Sequence, residues 1–417
     1  MKEGNLILGK NLSYSMDCYK TRVNNNVLVV GASGAGKTRG IVEPNILEAT
    51  GSYIISDPKG NLYNKYKNYL EDKGYRVLKL DFTDPKHSEH YNFFDYIRST
   101  QDIVKIAHML IYSQGISRED PFWDLSSQLL MQSLISLLVE KAPDDEMNFG
   151  VLMEMLGGCE ASDDNESFKC GMDLMMEDIG KADPNSYAYK TYRKYRVGAG
   201  KTLKSILITA NAKLGLYDTP DLNEMMKDDT IHIQTIGIRK TALFVCVSDT
   251  DRSLDGLINI FFTQAINELV HFADKRCRNN CLPIPTRFIL DDFATNVVIG
   301  DFPRMISSIR SRGISTMLML QAESQLMATY GYNWRTIIGN CDNYVYMGGN
   351  DVETARAISE RCDIPLKQIL NMPIGTNWVF RRGQLPIRGV NYEPDDRILE
   401  KYRKSRNGFD DDFDLLL

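Results

Sequence analysis

The sequence predicts an α/β fold, a parallel-rich central sheet with an inserted all-α segment, and three observations carry that prediction. At residues 24–40 an apolar strand pattern runs straight into a glycine-rich loop and then a helix pattern. Two more strand-and-helix repeats follow at short intervals. From about Thr100 to Asp218 strand patterns then cease and amphipathic helix patterns take over. Strands alternating with helices imply parallel pairing, because a parallel connection must be long enough to hold a crossover helix.

Asn26–Val30 reads as the first buried strand, being apolar and β-branched. Gly31-Ala-Ser-Gly-Ala-Gly36-Lys37-Thr38 follows it and fits G-x-x-x-x-G-K-[ST] between a strand and a helix. The chemistry needs that order. Glycines let the backbone bend so that successive N–H groups face phosphate oxygens, and the helix end adds its positive dipole. Lys37 would reach the β- and γ-phosphates, and the Thr38 hydroxyl would help hold Mg²⁺. The expected ligands are therefore ATP and Mg²⁺, with Gly31, Ser33, Gly34, Ala35, Gly36, Lys37, Thr38 and Arg39 as nucleotide-contacting candidates.

Ser52–Ser56 and Tyr75–Asp81 are the next strands. After Tyr91-Asn-Phe-Phe-Asp-Tyr-Ile come helices over Ile103–Ile111, Phe122–Glu140 and Thr202–Leu214, joined by acidic loops at Ala142–Asn148 and Glu160–Glu166. Strand patterns resume at Thr230–Gly237 and Thr241–Ser248, read as a hairpin or adjacent pair across Ile238-Arg-Lys. A long helix covers Leu254–Phe272, and strands at Thr286–Asp291 and Ile314–Leu320 flank a helix at Asp301–Arg312. Tyr344–Met347 and Asn377–Arg381 are late strands. The organisation expected is 1–99 and 219–395 as two parts of one nucleotide-binding domain, 100–218 as an all-α insertion, and 396–417 as an acidic tail.

With 43% hydrophobic and 25% charged residues, the 417-residue chain can bury a sizeable core. A net charge of −6 argues against a protein that coats itself in nucleic acid, yet permits a local basic channel in an oligomer. Of the eight cysteines only Cys277 and Cys281 are close, and no second pair or nearby histidine completes a zinc site. No apolar run approaches the ~20 residues of a membrane span, so a soluble polypeptide is expected.

Arg287-Phe-Ile-Leu-Asp291-Asp292-Phe293 is an apolar strand ending in acids. Asp291 would orient Mg²⁺ through water, and Asp292 sits where a carboxylate can polarise the attacking water. Gln321, at the tip of the strand Ile314–Leu320, suits a γ-phosphate sensor. Arg310 and Arg312 could each reach phosphates of a neighbouring subunit, or simply compensate a helix C-terminus. Val197-Gly-Ala-Gly200-Lys201-Thr202 mimics the phosphate loop but lacks its first glycine, Tyr195 standing there, and no apolar strand precedes it. Around it Arg193, Lys194 and Arg196 form a tyrosine-interleaved basic segment that could touch DNA phosphates or be a solvated helix face.

Taken in order, these pieces resemble the conjugative coupling ATPases of type IV secretion, the TraG/TraD-like class, from about residue 5 to 395. The resemblance is carried by Asn24-Asn25-Asn26, Gly31–Thr38, Pro44-Asn45, Ser56-Asp57-Pro58-Lys59-Gly60, Tyr91-Asn92 and Asp120-Pro121-Phe122-Trp123. Asp291-Asp292-Phe293-Ala294, Arg310-Ser-Arg312-Gly313 and Gln321-Ala-Glu-Ser-Gln325-Leu326 complete it. It implies a RecA-like motor domain with an all-α insertion, acting as a hexameric ring, or a monomer as a soluble fragment. Partners would be single-stranded DNA, relaxase and relaxosome proteins, and channel subunits, at the cytoplasmic face of the cell membrane. Carried over, Lys37 and Thr38 bind phosphate and Mg²⁺, Asp291 is the metal-associated acid, Gln321 the sensor and Arg310 the arginine finger in trans. Three features depart from the class. Its members carry membrane helices ahead of the motor, whereas Met1 lies just ahead of it here, so an anchor was removed or the protein is a membrane-free relative. Asp292 replaces the usual Glu, and the stretch between Asn350 and Asn371 is short. Rival readings are a double-strand DNA pump of the FtsK/HerA type and a nucleotide-gated docking platform that barely hydrolyses ATP.

Overall fold

A computed structural model describes residues 4–113, 120–165, 167–295, 297–395 and 397–403. The chain divides into two units: Met1–Lys79 with Gln234–Cys246 and Leu269–Leu417, and Leu80–Ile233 with Val247–Glu268. The first carries the sheet. Its strands are β1 (Asn5–Gly9), β2 (Leu12–Ser15), β3 (Val27–Val30), β4 (Ser52–Asp57), β5 (Arg76–Asp81), β6 (Thr241–Cys246), β7 (Thr286–Leu290), β8 (Ile314–Leu320), β9 (Asn343–Tyr346), β10 (Thr376–Arg381) and β11 (Ile387–Val390). β1 and β2 form a separate hairpin, and the other nine strands run in the order β11-β10-β9-β3-β8-β7-β4-β6-β5.

From β9 to β6 every pairing is parallel, while β10 is antiparallel to both its neighbours. β3, β4, β6 and β7 are buried at every residue, which is why they read as continuous apolar runs: both faces of a parallel sheet are covered. β10 alternates between buried and half-buried residues, and β11, the edge strand beside it, is mostly exposed.

Polar motif residues set the register. The Asn26 side chain accepts from the Thr316 N–H (3.0 Å) and donates to Asn340 O (3.0 Å), and Asn343 Nδ2 donates to Asn26 O (3.0 Å). This ties the start of β3 to β8 and β9. Asn45, one per cent exposed, accepts from the Ile7 N–H (3.1 Å) and donates to Ile7 O (2.8 Å), so it holds β1 as a neighbouring strand would. The hairpin of β1 and β2 has no counterpart among the sequence expectations.

In the second unit helices dominate. Asp120 caps Pro121–Lys141 by accepting the Phe122 N–H at 2.9 Å, and Pro121 suits the first helical turn. That helix buries Leu130, Met131, Leu134, Ile135 and Leu138, each worth ~1.5–3 kcal/mol as an upper estimate. Lys213 reaches its buried Asp124 at 2.7 Å. Among the described residues this is the one helix long and apolar enough to cross a membrane, and 67% of its apolar window is buried within the protein. The unit reaches beyond the expected 100–218. Tyr91 bonds Gln264 of the helix Asp255–Arg276, and the Gln264 amide donates to Phe93 O at 2.9 Å.

Other expectations change. Thr230–Gly237 is no strand: Ile233–Gly237 is a tight helical turn and His232 has φ 53°. Its buried Ile231, Ile233 and Ile236 imitate an alternating pattern, but a left-handed residue cannot continue a strand. No hairpin forms, and β6 instead pairs parallel with β4. The helix expected over Asp301–Arg312 is broken into Phe302–Met305 and a turn at Ile309–Arg312. Within the expected tail, Arg397–Arg403 is helical, with Leu399 buried and Tyr402 against Tyr69 at 5.6 Å. Phe409–Leu417 lie outside the described residues.

Candidate functional site

The site forms at the ends of β3, β4, β7 and β8. In the loop after β3, Gly34 and Gly36 have φ of 76° and 86°, so each needs glycine, and a Cβ at Gly34 would meet nothing within 4 Å. The space a ligand needs beside that backbone is open. The loop is pinned on both sides: the Gly31 N–H donates to Leu320 O (3.0 Å) and the Ala32 N–H to Gly348 O (2.9 Å). Thr38–Val42 is a wide π-type turn leading into the helix Glu43–Leu47.

Lys37, eight per cent exposed, folds onto its own loop and donates to Gly31 O at 2.7 Å and Ala32 O at 3.2 Å. Burial lowers its pKa, and the carboxylates of Asp291 and Asp292 oppose that shift. The Thr38 hydroxyl donates to Asp291 Oδ2 at 2.8 Å. Residues 253 positions apart therefore present two hard oxygen ligands side by side, a donor set that fits Mg²⁺. Ser56 holds Asp291 in place: its hydroxyl accepts the Asp291 N–H (2.7 Å) and donates to Asp291 O (3.1 Å). Asp57 closes its turn by accepting the Tyr63 N–H at 2.9 Å, with Gly60 left-handed at φ 65°.

Burial pushes the Asp291 carboxyl up, and the Thr38 hydrogen bond works against that. A raised carboxyl holds its proton more tightly folded than unfolded. The fold thus carries a cost above the raised pKa, and no cost below the usual carboxylate range near about 4. Asp291→Asn is expected to raise the melting temperature at neutral pH by a few degrees, with the gain vanishing as pH falls into that range. Melting curves of the two proteins at several pH values test this, and an unchanged or lower value at neutral pH would contradict it.

Asp292 is half-buried with φ 49°, a conformation Asp tolerates better than most residues, and its N–H bonds Asp291 Oδ1 at 3.1 Å. Gln321 is exposed one residue past the Leu320 carbonyl that anchors Gly31. Two residues assigned no role from sequence also reach the site. Gln325 accepts the Gln321 N–H (2.8 Å) and donates to Thr295 Oγ1 (3.0 Å), joining the tip of β8 to the segment after Asp292. The Q-x-x-x-Q spacing signals it, since Gln325 is the third residue of the helix Glu323–Tyr330 and reaches back to the N–H groups that precede the helix. Asn391 Nδ2 donates to Ala35 O at 3.3 Å, and no motif announces it.

The remaining candidates lie elsewhere. Arg310 is exposed before β8, at the opposite end of that strand, and reaches Cys18, bonding its carbonyl oxygen at 3.4 Å and its thiol. Arg312 pairs with Asp274 at 3.0 and 2.9 Å and serves the fold. In the helical unit Arg193 and Lys194 are exposed, but Arg196 pairs with buried Asp173 at 2.7 Å. The mimic at Gly200-Lys201 opens a helix, where a Cβ at Gly200 would sit 2.0 Å from Ser162 O: close packing, not phosphate binding, requires that glycine.

Comparison with known proteins bears on family and fold. VirD4 of Rhizobium radiobacter is 24% identical over 343 residues, 80% of this chain and 47% of VirD4, so the chain spans about half that relative's length. The plasmid coupling protein TrwB in complex with the non-hydrolysable ATP analogue ADPNP superposes with a TM-score of 0.63 at 18% identity, covering 90% of this chain and 87% of TrwB. TrwB with ADP and Mg²⁺ gives the same score and identity over 89% and 86%. The fold is that of these RecA-like P-loop proteins. The model of the family described as type IV secretory system conjugative DNA transfer matches residues 2–363, and this chain belongs to that family.

Proposed function

We propose that this chain is an ATP-hydrolysing, Mg²⁺-dependent motor that moves single-stranded DNA with its bound relaxase into a type IV secretion channel. It works as a hexameric ring at the inner face of the cell membrane, the sheet unit being the motor and the helical unit its insertion. The observation that carries this reading is the 2.8 Å bond between Thr38 and Asp291, which brings phosphate loop and β-strand acid together as Mg–ATP requires. In this reading Mg²⁺ bound there neutralises charge on the transferring phosphoryl group. Lys37 leaves its loop carbonyls for the phosphates, Asp292 polarises water, and Gln321 senses the γ-phosphate.

The test is ATP turnover at several protein concentrations, with and without single- or double-stranded DNA. A single-strand motor shows turnover rising with assembly and further with single strands. A flat profile overturns the reading in favour of a docking platform, and a preference for duplex favours a double-strand pump. The platform reading keeps one specific support, the short acid at position 292. Asp292→Asn is therefore expected to lower turnover by about 10²-fold or more with nucleotide affinity nearly unchanged. Asp292→Glu should turn over as fast or faster. Normal hydrolysis by the Asn variant would reduce Asp292 to a turn residue.

For DNA contact in the helical unit, the structure narrows the variants. Removing Arg196 strands the Asp173 carboxylate and costs roughly 3 kcal/mol of stability, so a triple substitution would confuse folding with binding. Arg193→Ala with Lys194→Ala is expected to lower the slope of log affinity against log salt by about 1.4 for single strands. An unchanged slope returns this face to plain solvation.

A further inference from the structure

Beyond the nucleotide site, the sheet unit has a polar groove of about 450 Å³ between residues 300–307 and 329–336. Arg304, Ser307, Thr329, Tyr330, Asn333 and Thr336 line it, and Asp301 is the one carboxylate among the described lining residues. Tyr332, between the lining residues Tyr330 and Asn333 in the chain, is wholly exposed, at 104%. Arg335, which precedes the lining residue Thr336 in the chain, lies over the Trp334 ring, 5.5 Å from the centroid, and Arg304 and Arg335 are both exposed. Aromatic faces interleaved with guanidinium groups and hydroxyls are what a single strand uses: bases stack and phosphates pair, without sequence readout.

The groove is also wired to the nucleotide site. Phe293, next to Asp292, packs against Phe302 at 4.7 Å and stacks on Tyr330 at 5.8 Å, so it holds both walls. The Thr329 hydroxyl donates to Ala294 O at 2.9 Å, and the Tyr330 hydroxyl accepts the Ile299 N–H at 3.2 Å. Gln325 on the same helix holds the Gln321 N–H and Thr295. These packed rings and directed hydrogen bonds give a continuous path by which a shift of Asp292 or Gln321 would reach the groove.

We infer that this groove is a single-stranded nucleic-acid grip driven by the nucleotide site, with Tyr332 stacking on a base and Arg304 and Arg335 holding phosphates. The inference rests on the motor reading above and names the surface through which it acts. The test uses the full 417-residue chain with an ATP analogue and a fluorescent oligothymidylate, read by anisotropy. Tyr332→Ala is expected to weaken binding by about 5- to 100-fold. Arg304→Gln with Arg335→Gln should lower the salt slope by about 1.4. Thr329→Val should keep oligonucleotide binding but lose DNA stimulation of ATP turnover. Wild-type binding that survives all the groove variants overturns the grip while leaving the motor reading intact. No wild-type binding at any assembly state overturns the motor reading itself. If Tyr332→Ala also loses ATP analogue, Tyr332→Trp decides: recovery of oligonucleotide binding supports stacking, and failure to recover overturns it.

Discussion

Arg310→Ala is expected to leave nucleotide binding intact and to lower ATP turnover of the assembled ring by about 10³- to 10⁵-fold, the usual worth of an arginine supplied in trans. The geometry motivates the expectation. β8 is seven residues long and separates Arg310 from Gln321 by about 20 Å, so the guanidinium cannot serve the site of its own subunit. It is exposed, held by Cys18 through a long hydrogen bond to its carbonyl oxygen and through its thiol, and free of any carboxylate partner in the ion pairs described. Arg312 offers the control: its bidentate pairing with Asp274 makes Arg312→Ala a stability change with turnover largely kept. The decisive measurement mixes Arg310→Ala with Lys37→Ala. In mixed rings an intact phosphate loop from one parent meets an intact arginine from the other, and partial activity returns. Proven subunit exchange without recovery rules the role out.

Lys37→Ala should remove roughly 2–4 kcal/mol of transition-state stabilisation, about 30- to 1000-fold in turnover. In this structure the ammonium caps Gly31 O and Ala32 O, so its loss also removes two bonds that shape the loop. A buried ammonium with a lowered pKa is itself unfavourable, and the two effects oppose each other in stability. The melting temperature is therefore expected to stay close to wild type while turnover collapses. Equal turnover in both proteins would end the phosphate-loop assignment. A collapse of both melting and turnover would show a folding residue instead.

The sequence by itself determined the phosphate loop, because glycine spacing, lysine and threonine must be contiguous to surround a phosphate. It determined the buried parallel strands, whose two covered faces demand unbroken apolar runs, and the helical segment, where the cap at Asp120 is local. It missed where chemistry depends on chain direction. A left-handed His232 turned an apparent strand into a turn, and β6 paired with β4 where a hairpin or adjacent pair with Thr230–Gly237 was expected. Side-chain partners were invisible for the same reason. Arg193, Lys194 and Arg196 look alike in sequence, yet Arg196 alone meets a buried acid. Asn391 and the meeting of Thr38 with Asp291 join segments far apart in the chain. A motif fixes what a few neighbouring backbone groups can do. Which distant side chain arrives beside them, and at what distance, is set by strand order, and only the folded sheet decides that.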